Sequence, residues 1–357
     1  MKRFVCPHCR ADVYFDNTAC VSCQHELGYV PERFEMAALD PATQSWQTAD
    51  GGGTVYLPCE NRQYDACNWL RPAASNDHRC VACQHNRTVP DLSVPANVAD
   101  WRKIELAKRY LFYSLMRWRL PIPTRKEDPE KGLAFDFLSD VVKTDGTVQP
   151  VLTGHNTGLI TLNIVEADDA EREKRRTAMG EPYRTLLGHF RHEVGHYYWD
   201  RLVKDGGKVE RARQLFGDET KDYGEALKAH YDNGPPANWQ ESFISSYATA
   251  HPWEDFAETW AHYIHMVDAL ETARVFGINM RPTAAVGPTD AAPTETTEVD
   301  FDPYFVADAQ ALVDAWVPLT VAINSVNRSM GQPDLYPFVL SPPVVAKLQF
   351  IHELIHG

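Results

Sequence analysis

Apolar residues recur at helical spacing along several stretches of the chain, separated by short polar intervals. In 100–120, DWRKIELAKRYLFYSLMRWRL, Ile104, Leu111, Leu115 and Trp118 share a side until Pro121 stops the run. This predicts a helix capped at Asp100. Residues 133–142 and 158–164 read instead as strands, the second through its β-branched alternation. In 183–202, YRTLLGHFRHEVGHYYWDRL, Leu186, Phe190, Val194, Tyr197 and Leu202 give a helix an apolar face. Pro252 opens another helical pattern, and the acidic residues beside it suit the positive end of a helix dipole. Gly277 ends that pattern. Residues 301–356 resume the period, with Trp316 and Leu319 in a packing helix. The charged run 166–176, EADDAEREKRR, reads as a solvated helix face or lid.

These patterns define an α+β chain in four parts. Residues 1–90 are cysteine-rich and lack helical periodicity. Residues 91–280 form a mostly helical domain with a small β-sheet. Residues 281–300, poor in large apolar side chains and rich in Pro, Thr and Ala, read as a flexible linker or loop. Residues 301–357 are C-terminal helices that pack on the preceding domain. With 357 residues the chain can bury a sizeable core. A net charge of −14 argues against nucleic-acid binding, which favours a basic face. By this reading no window approaches a membrane span, and MKRFVCPHC offers no apolar signal segment, so a bacterial cytoplasm is the expected setting.

All eight cysteines fall between Cys6 and Cys83. In a reducing compartment such clustering points to metal rather than disulfides. Cys6, Cys9, Cys20 and Cys23 form two C-x-x-C knuckles that suit one tetrahedral structural zinc. A disulfide pair or an iron site is the competing reading. Cys59, Cys67, Cys80 and Cys83 contain a single knuckle. They are read as a second four-thiolate zinc site. His78 or His85 as substitute ligands, knuckles shared between sites, and Cys59 and Cys67 as plain buried thiols remain open.

The stretch 192–196 is H-E-V-G-H. On a helix His192 and His196 lie one turn apart on one face, and Glu193 sits where it can reach a water between them. Two neutral imidazoles, a carboxylate base and an open position are what a hydrolytic zinc needs. Such a zinc takes a third protein ligand. Trp199 stands where the metzincin extension requires glycine, and no cysteine follows Cys83. Glu254 is therefore the preferred third ligand, with Asp255, Glu258 and His262 as alternatives. Glu258, four residues on, shares the face of Glu254 and can accept a ring N–H from a ligand histidine. Tyr247 can donate a hydrogen bond to a developing oxyanion. His189, one turn before His192, reads as a supporting residue. The final residues repeat the pattern as His352-Glu353-Leu354-Ile355-His356, too close to the end for a downstream ligand. This copy reads as a surface helix end whose histidines carry positive charge.

The segments HFRHEVGHYYWD, SSYATAHPWEDFAETWAHY, CENRQYDACNW, RTVPDLS and TGHNTGLITLN, together with the cysteine-rich front, resemble a bacterial family of zinc-binding metallopeptidases with an N-terminal zinc ribbon. The resemblance spans nearly the whole chain. The motif spacing is also similar to gluzincins such as anthrax lethal factor. Carried over, it implies a zincin-type catalytic domain, Glu254 as zinc ligand, Glu258 as its supporting acid and Tyr247 as oxyanion donor. It implies one catalytic and two structural Zn2+ ions and a peptide or protein substrate. Glu193 would be the general base. The ribbon would be free to hold a protein partner, and the strand at 158–163 to bind substrate at its edge. The alternative is a non-enzymatic zinc-ribbon adaptor with an idle metal site.

Overall fold

The computed structural model describes residues 1–48, 53–142, 145–149, 151, 153–172, 185–279 and 298–357. They fall into two compact units, one running from Arg3 to Tyr197 and the other from Tyr198 to Gly357 together with Met1–Lys2. The linker expected at 281–300 lies outside the described residues except for 298–300.

The first unit begins with a hairpin of β1 (Phe4–Val5) and β2 (Asp12–Val13). β3 (Leu27–Val30), β4 (Glu35–Asp40) and β5 (Ser45–Gln47) form an antiparallel sheet, and β6 (Tyr56–Pro58) pairs with β7 (Leu70–Pro72). Val30, Ala37, Trp46, Tyr56 and Leu70 make one apolar cluster beneath these strands. Phe15, Tyr29 and Trp69 make a second, with edge-on ring contacts at 4.7 and 6.0 Å. Such cores are small, so the two cysteine sets between these strands must carry much of the local stability.

The larger sheet has the order β12 (Gly154–Asn156), β13 (Leu159–Asn163), β9 (Ala134–Leu138), β8 (Asn86–Thr88). A further hairpin joins β10 (Val141–Val142) to β11 (Val148–Gln149). β13 pairs with β12 on one side and β9 on the other, so it is not the edge strand expected from the sequence; that edge belongs to β12. The β12–β13 turn uses Thr157 at φ 46° and Gly158 at φ 79°, the left-handed pair of a tight hairpin. A side chain at Gly158 would also meet the Lys131 carbonyl at 2.4 Å. Helix α1 (Pro95–Arg117) starts five residues earlier than expected, because Pro95 fixes the first turn and Val94 rather than Asp100 caps it. Phe135 of β9 meets Phe190 of helix α2 (Leu186–Tyr198) at 5.6 Å, fixing α2 on the sheet.

The second unit opens with a π-helical turn, Trp199–Lys204, followed by α3 (Val209–Phe216) and α4 (Tyr223–Asn233), which buries none of its residues. Its centre is α5 (Pro252–Val275), buried along most of its length. α5 is packed by α6 (Ala309–Ser329) and α7 (Pro342–His356). Trp260 stacks on Tyr198 at 4.8 Å and Phe256 meets Trp199 at 5.0 Å. α6 corrects the sequence reading on one point. It is long and apolar enough to cross a membrane by length and composition, with a mean hydropathy of 1.2. Its Leu312, Val313, Trp316 and Leu319 are buried in the unit.

The C-terminal H-E-x-x-H is also corrected. It lies on α7, where His352 is buried rather than at a surface end. Its Nδ1 accepts from the Tyr263 hydroxyl at 2.8 Å, and its Nε2 faces the Ala307 carbonyl at 3.2 Å. Burial lowers its pKa, so it is a neutral core group and not a helix-end cation. Glu353 pairs with Arg211, and His356 at the helix end is exposed.

Candidate metal centres

Each cysteine set converges. The sulfurs of Cys6, Cys9, Cys20 and Cys23 lie within 4.8 Å of one another, as do those of Cys59, Cys67, Cys80 and Cys83. Neither set shares a knuckle with the other. His85 is occupied elsewhere, with Nδ1 at 2.8 Å from the Leu133 carbonyl, and all eight thiols are free of disulfides. In the first set the chain turns back through left-handed residues just after each knuckle, Arg10 at φ 66° and Gln24 at φ 62°. The main-chain N–H of Ala11 pulls Cys9 down to about 7. The N–H of His25 pulls Cys23 the same way, but burial and three neighbouring sulfurs carry it up to about 12. Four thiolates packed this closely repel, and a divalent cation is the group that relieves them, so the donor set fits zinc.

The second set is buried throughout. Desolvation raises Cys80 well above the ordinary thiol value. Against this set α1 presents Arg109, fully buried, which donates to the Ala66 carbonyl. Beside it Glu105 takes Asn86 Nδ2 at 2.7 Å and Lys108 Nζ at 2.8 Å, and its other oxygen faces Cys83 Sγ at 3.5 Å. A four-thiolate zinc carries net negative charge, which a buried guanidinium offsets.

The third centre starts from α2. Thr185 caps it, its hydroxyl oxygen accepting from the Gly188 N–H at 2.9 Å. Phe190, Val194 and Tyr197 bury the apolar face, and the neighbouring face carries His192, Glu193 and His196, all nearly buried. The two imidazole rings are 4.9 Å apart. His155 of β12 lies alongside, its ring 6.3 Å from that of His196. His189 Nε2 is 3.3 Å from Glu193 Oε1 and its Nδ1 is 3.5 Å from Glu166 Oε2. Burial alone would depress His189, but the two carboxylates override it and hold it up at about 9. Burial would raise Glu193, yet His189 and the neighbouring rings of His192 and His196 hold it below the usual carboxylate value.

On α5, His251 is the N-cap, its Nδ1 accepting from the Trp253 N–H at 3.1 Å, and Pro252 occupies the first turn. This places Glu254, 1% exposed, in the opening turn, where its Oε1 accepts from the Tyr223 hydroxyl at 2.6 Å. Two of the alternatives for third ligand are committed elsewhere. Asp255 pairs with Lys347 at 2.6 Å in the core, and His262 Nδ1 meets the Tyr336 hydroxyl at 2.7 Å. Glu258 takes the Ser245 hydroxyl at 2.5 Å. Tyr247 lies half-buried in a short turn, its ring 6.0 Å from that of His230.

Within the first unit the rings of His192 and His196 stand 4.9 Å apart on one face of α2, and within the second Glu254 is a buried carboxylate in the opening turn of α5. The buried Glu193 Oε2 has no hydrogen-bond partner among the described residues. Two imidazoles, one carboxylate and an unfilled base beside them fit a hydrolytic zinc. The sequence flagged Glu193, His192, His196 and Glu254. It missed Glu166, Tyr223 and Ser245, which come from turns and helix starts without any motif. Glu166 is 1% exposed, so the first residue of the charged run is not part of a solvated face.

Residues 97–354 match the family described as "putative zinc-binding metallo-peptidase", and residues 3–94 match a zinc-ribbon domain. The chain belongs to that zinc-binding metallopeptidase family and carries a zinc ribbon at its front. Relatives in Mycobacterium bovis and Mycobacterium tuberculosis, described as uncharacterised proteins, are 42% identical over 99% of this chain and 95% of their own length. No solved structure matches.

Proposed function

We propose that the chain is a zinc-dependent peptidase that hydrolyses peptide bonds at His192, His196 and Glu254, with Glu193 as general base. The observation that carries this reading is the pair of imidazoles 4.9 Å apart on α2 beside a buried carboxylate with one oxygen unfilled. Zinc bound there would lower the pKa of a water and polarise the scissile carbonyl. Glu193 takes the proton from the attacking water at Oε2 and delivers it to the leaving amine. Tyr247 donates its phenolic proton in a hydrogen bond to the oxygen that gains charge. Tyr223, bonded to one oxygen of Glu254, fixes the orientation of that ligand. An extended substrate adds at the outer edge of β12, beside His155 and His196. Two four-sulfur sets and the histidine site together give three zinc ions per chain, and free clustered thiols favour a cytoplasmic setting.

The test is zinc content together with cleavage of a peptide library. Three zinc ions, one labile and required for cleavage, support the reading. Two tight zinc ions and no cleavage overturn it in favour of a zinc-ribbon adaptor.

A further inference from the structure

Glu193 is not held by the metal ligands that flank it. Its nearest partner within its own unit is His189, one turn back on α2, at 3.3 Å. His189 is in turn faced by Glu166 at 3.5 Å. Side chains of all three are buried, at 7, 13 and 2% exposure. Glu166 is placed by the sheet. It sits in the short turn Ile164–Ala167 that follows β13, capped by Asn163, whose Oδ1 accepts from the Val165 N–H at 3.1 Å. Asn163 is anchored through Nδ2 to Asp140 at 2.5 Å and to the Val151 carbonyl at 3.2 Å. The Arg172 guanidinium holds the Glu166 main-chain carbonyl at 2.7 Å, not its carboxylate.

We propose that Glu166 and His189 form a positioning relay for the general base, in which His189 holds one oxygen of Glu193 so that the other is presented to the water. The inference rests on the peptidase reading. Three arguments support it. His189 reaches Oε1 and leaves Oε2 unfilled, which divides the carboxylate into a held oxygen and a working one. A buried carboxylate oxygen needs a partner, and His189 supplies one to Oε1 at 3.3 Å from one turn back on the same helix. The second carboxylate, Glu166, keeps the imidazole charged, as the value of about 9 for His189 indicates. Within this unit the other titratable groups acting on Glu193 are His192 and His196. His189 is thus a positioning residue and not a ligand, because both ring nitrogens face carboxylates.

The experiment compares wild type, His189→Gln, Glu166→Gln and Glu193→Gln in one peptide assay, with zinc content measured for each. Expected for His189→Gln is a ~10–100-fold fall in kcat with KM within about twofold and unchanged zinc, a loss on the scale of a misplaced base. Glu166→Gln should give the same changes, smaller. A readout independent of turnover is the 15N-labelled ring of His189 in protein that keeps its cysteine-bound zinc and is stripped of the labile ion only, expected as an imidazolium at pH 7.5 in wild type and titrating lower in Glu166→Gln. A neutral ring at pH 7.5, or an unchanged kcat in a folded, zinc-loaded His189→Gln variant, overturns the relay. Absence of cleavage by wild type overturns the peptidase reading instead, and the ring measurement still decides the relay. If His189→Gln does not fold, Glu166→Gln and the ring decide it.

Discussion

The same five-letter pattern occurs twice, on α2 and at the end of α7, and the two copies have opposite fates. In both, the histidines are one helical turn apart. On α2 the two rings stand 4.9 Å apart, and the intervening Glu193 is buried against His189. On α7 the first histidine is consumed as a core hydrogen-bonding group by Tyr263 and Ala307, while Glu353 faces outward to Arg211. The spacing of ligands is set by helix geometry and is common to both. What separates them is whether other elements supply an acid or an alcohol opposite the rings. A motif therefore states a capability, and the partners determine its use.

The largest effect that would break this contrast is on the base. Glu193→Gln should lower kcat by ~10²–10⁴-fold, the usual contribution of general-base catalysis, while Glu353→Gln should stay within about twofold. Equal activity in the two variants, measured on one peptide substrate, would erase the distinction. Next in size is Tyr247→Phe, expected to cost ~10²–10³-fold in kcat at unchanged zinc content if its hydroxyl is the oxyanion donor. Tyr223→Phe should instead weaken the affinity of the labile zinc by ~10–100-fold, read by competition with a chelator, because it releases one oxygen of Glu254. The smallest effect concerns the α7 copy. His352→Ala leaves the Tyr263 hydroxyl without its partner and should destabilise the chain by about 1–3 kcal/mol in thermal unfolding, with zinc content intact. That histidine also predicts a pH response. Its folded pKa lies below the ordinary 6.5, so as pH falls below that value the unfolded chain binds a proton that the folded chain resists. Wild type should lose stability there, and His352→Gln should lose less.

Much of the site was legible because helices impose short, regular offsets. Four residues from His192 to His196, and the carboxylate opening a helix after Pro252, survive translation into three dimensions. The cysteine sets were legible for a similar reason, since knuckles are local. What escaped came from contacts that no period encodes. Glu166 opens a charged run whose composition suggests solvent, yet a turn after β13 buries it. The interior position of β13 depends on pairing with β12 and β9, which spacing cannot reveal. The terminal H-E-x-x-H reads as a surface helix end, yet its first histidine is buried, because that burial depends on Tyr263, far away in sequence. α6 passed unnoticed as a long apolar helix because Asp314, Asn324 and Arg328 punctuate it.

The α1 network bears on where this polypeptide can be cut. The two family matches meet between residues 94 and 97, which invites separating the ribbon from the peptidase at that point. Yet Lys108 and Arg109, both buried on α1, find their oxygen partners at Asn86 and Ala66, on the far side of the cut. A fragment starting at residue 97 would leave Arg109 without its carbonyl and Lys108 with Glu105 alone, on an uncovered helix. The seam in the family map is a weld in the molecule, and peptidase and second cysteine set should be expressed, purified and digested as one piece.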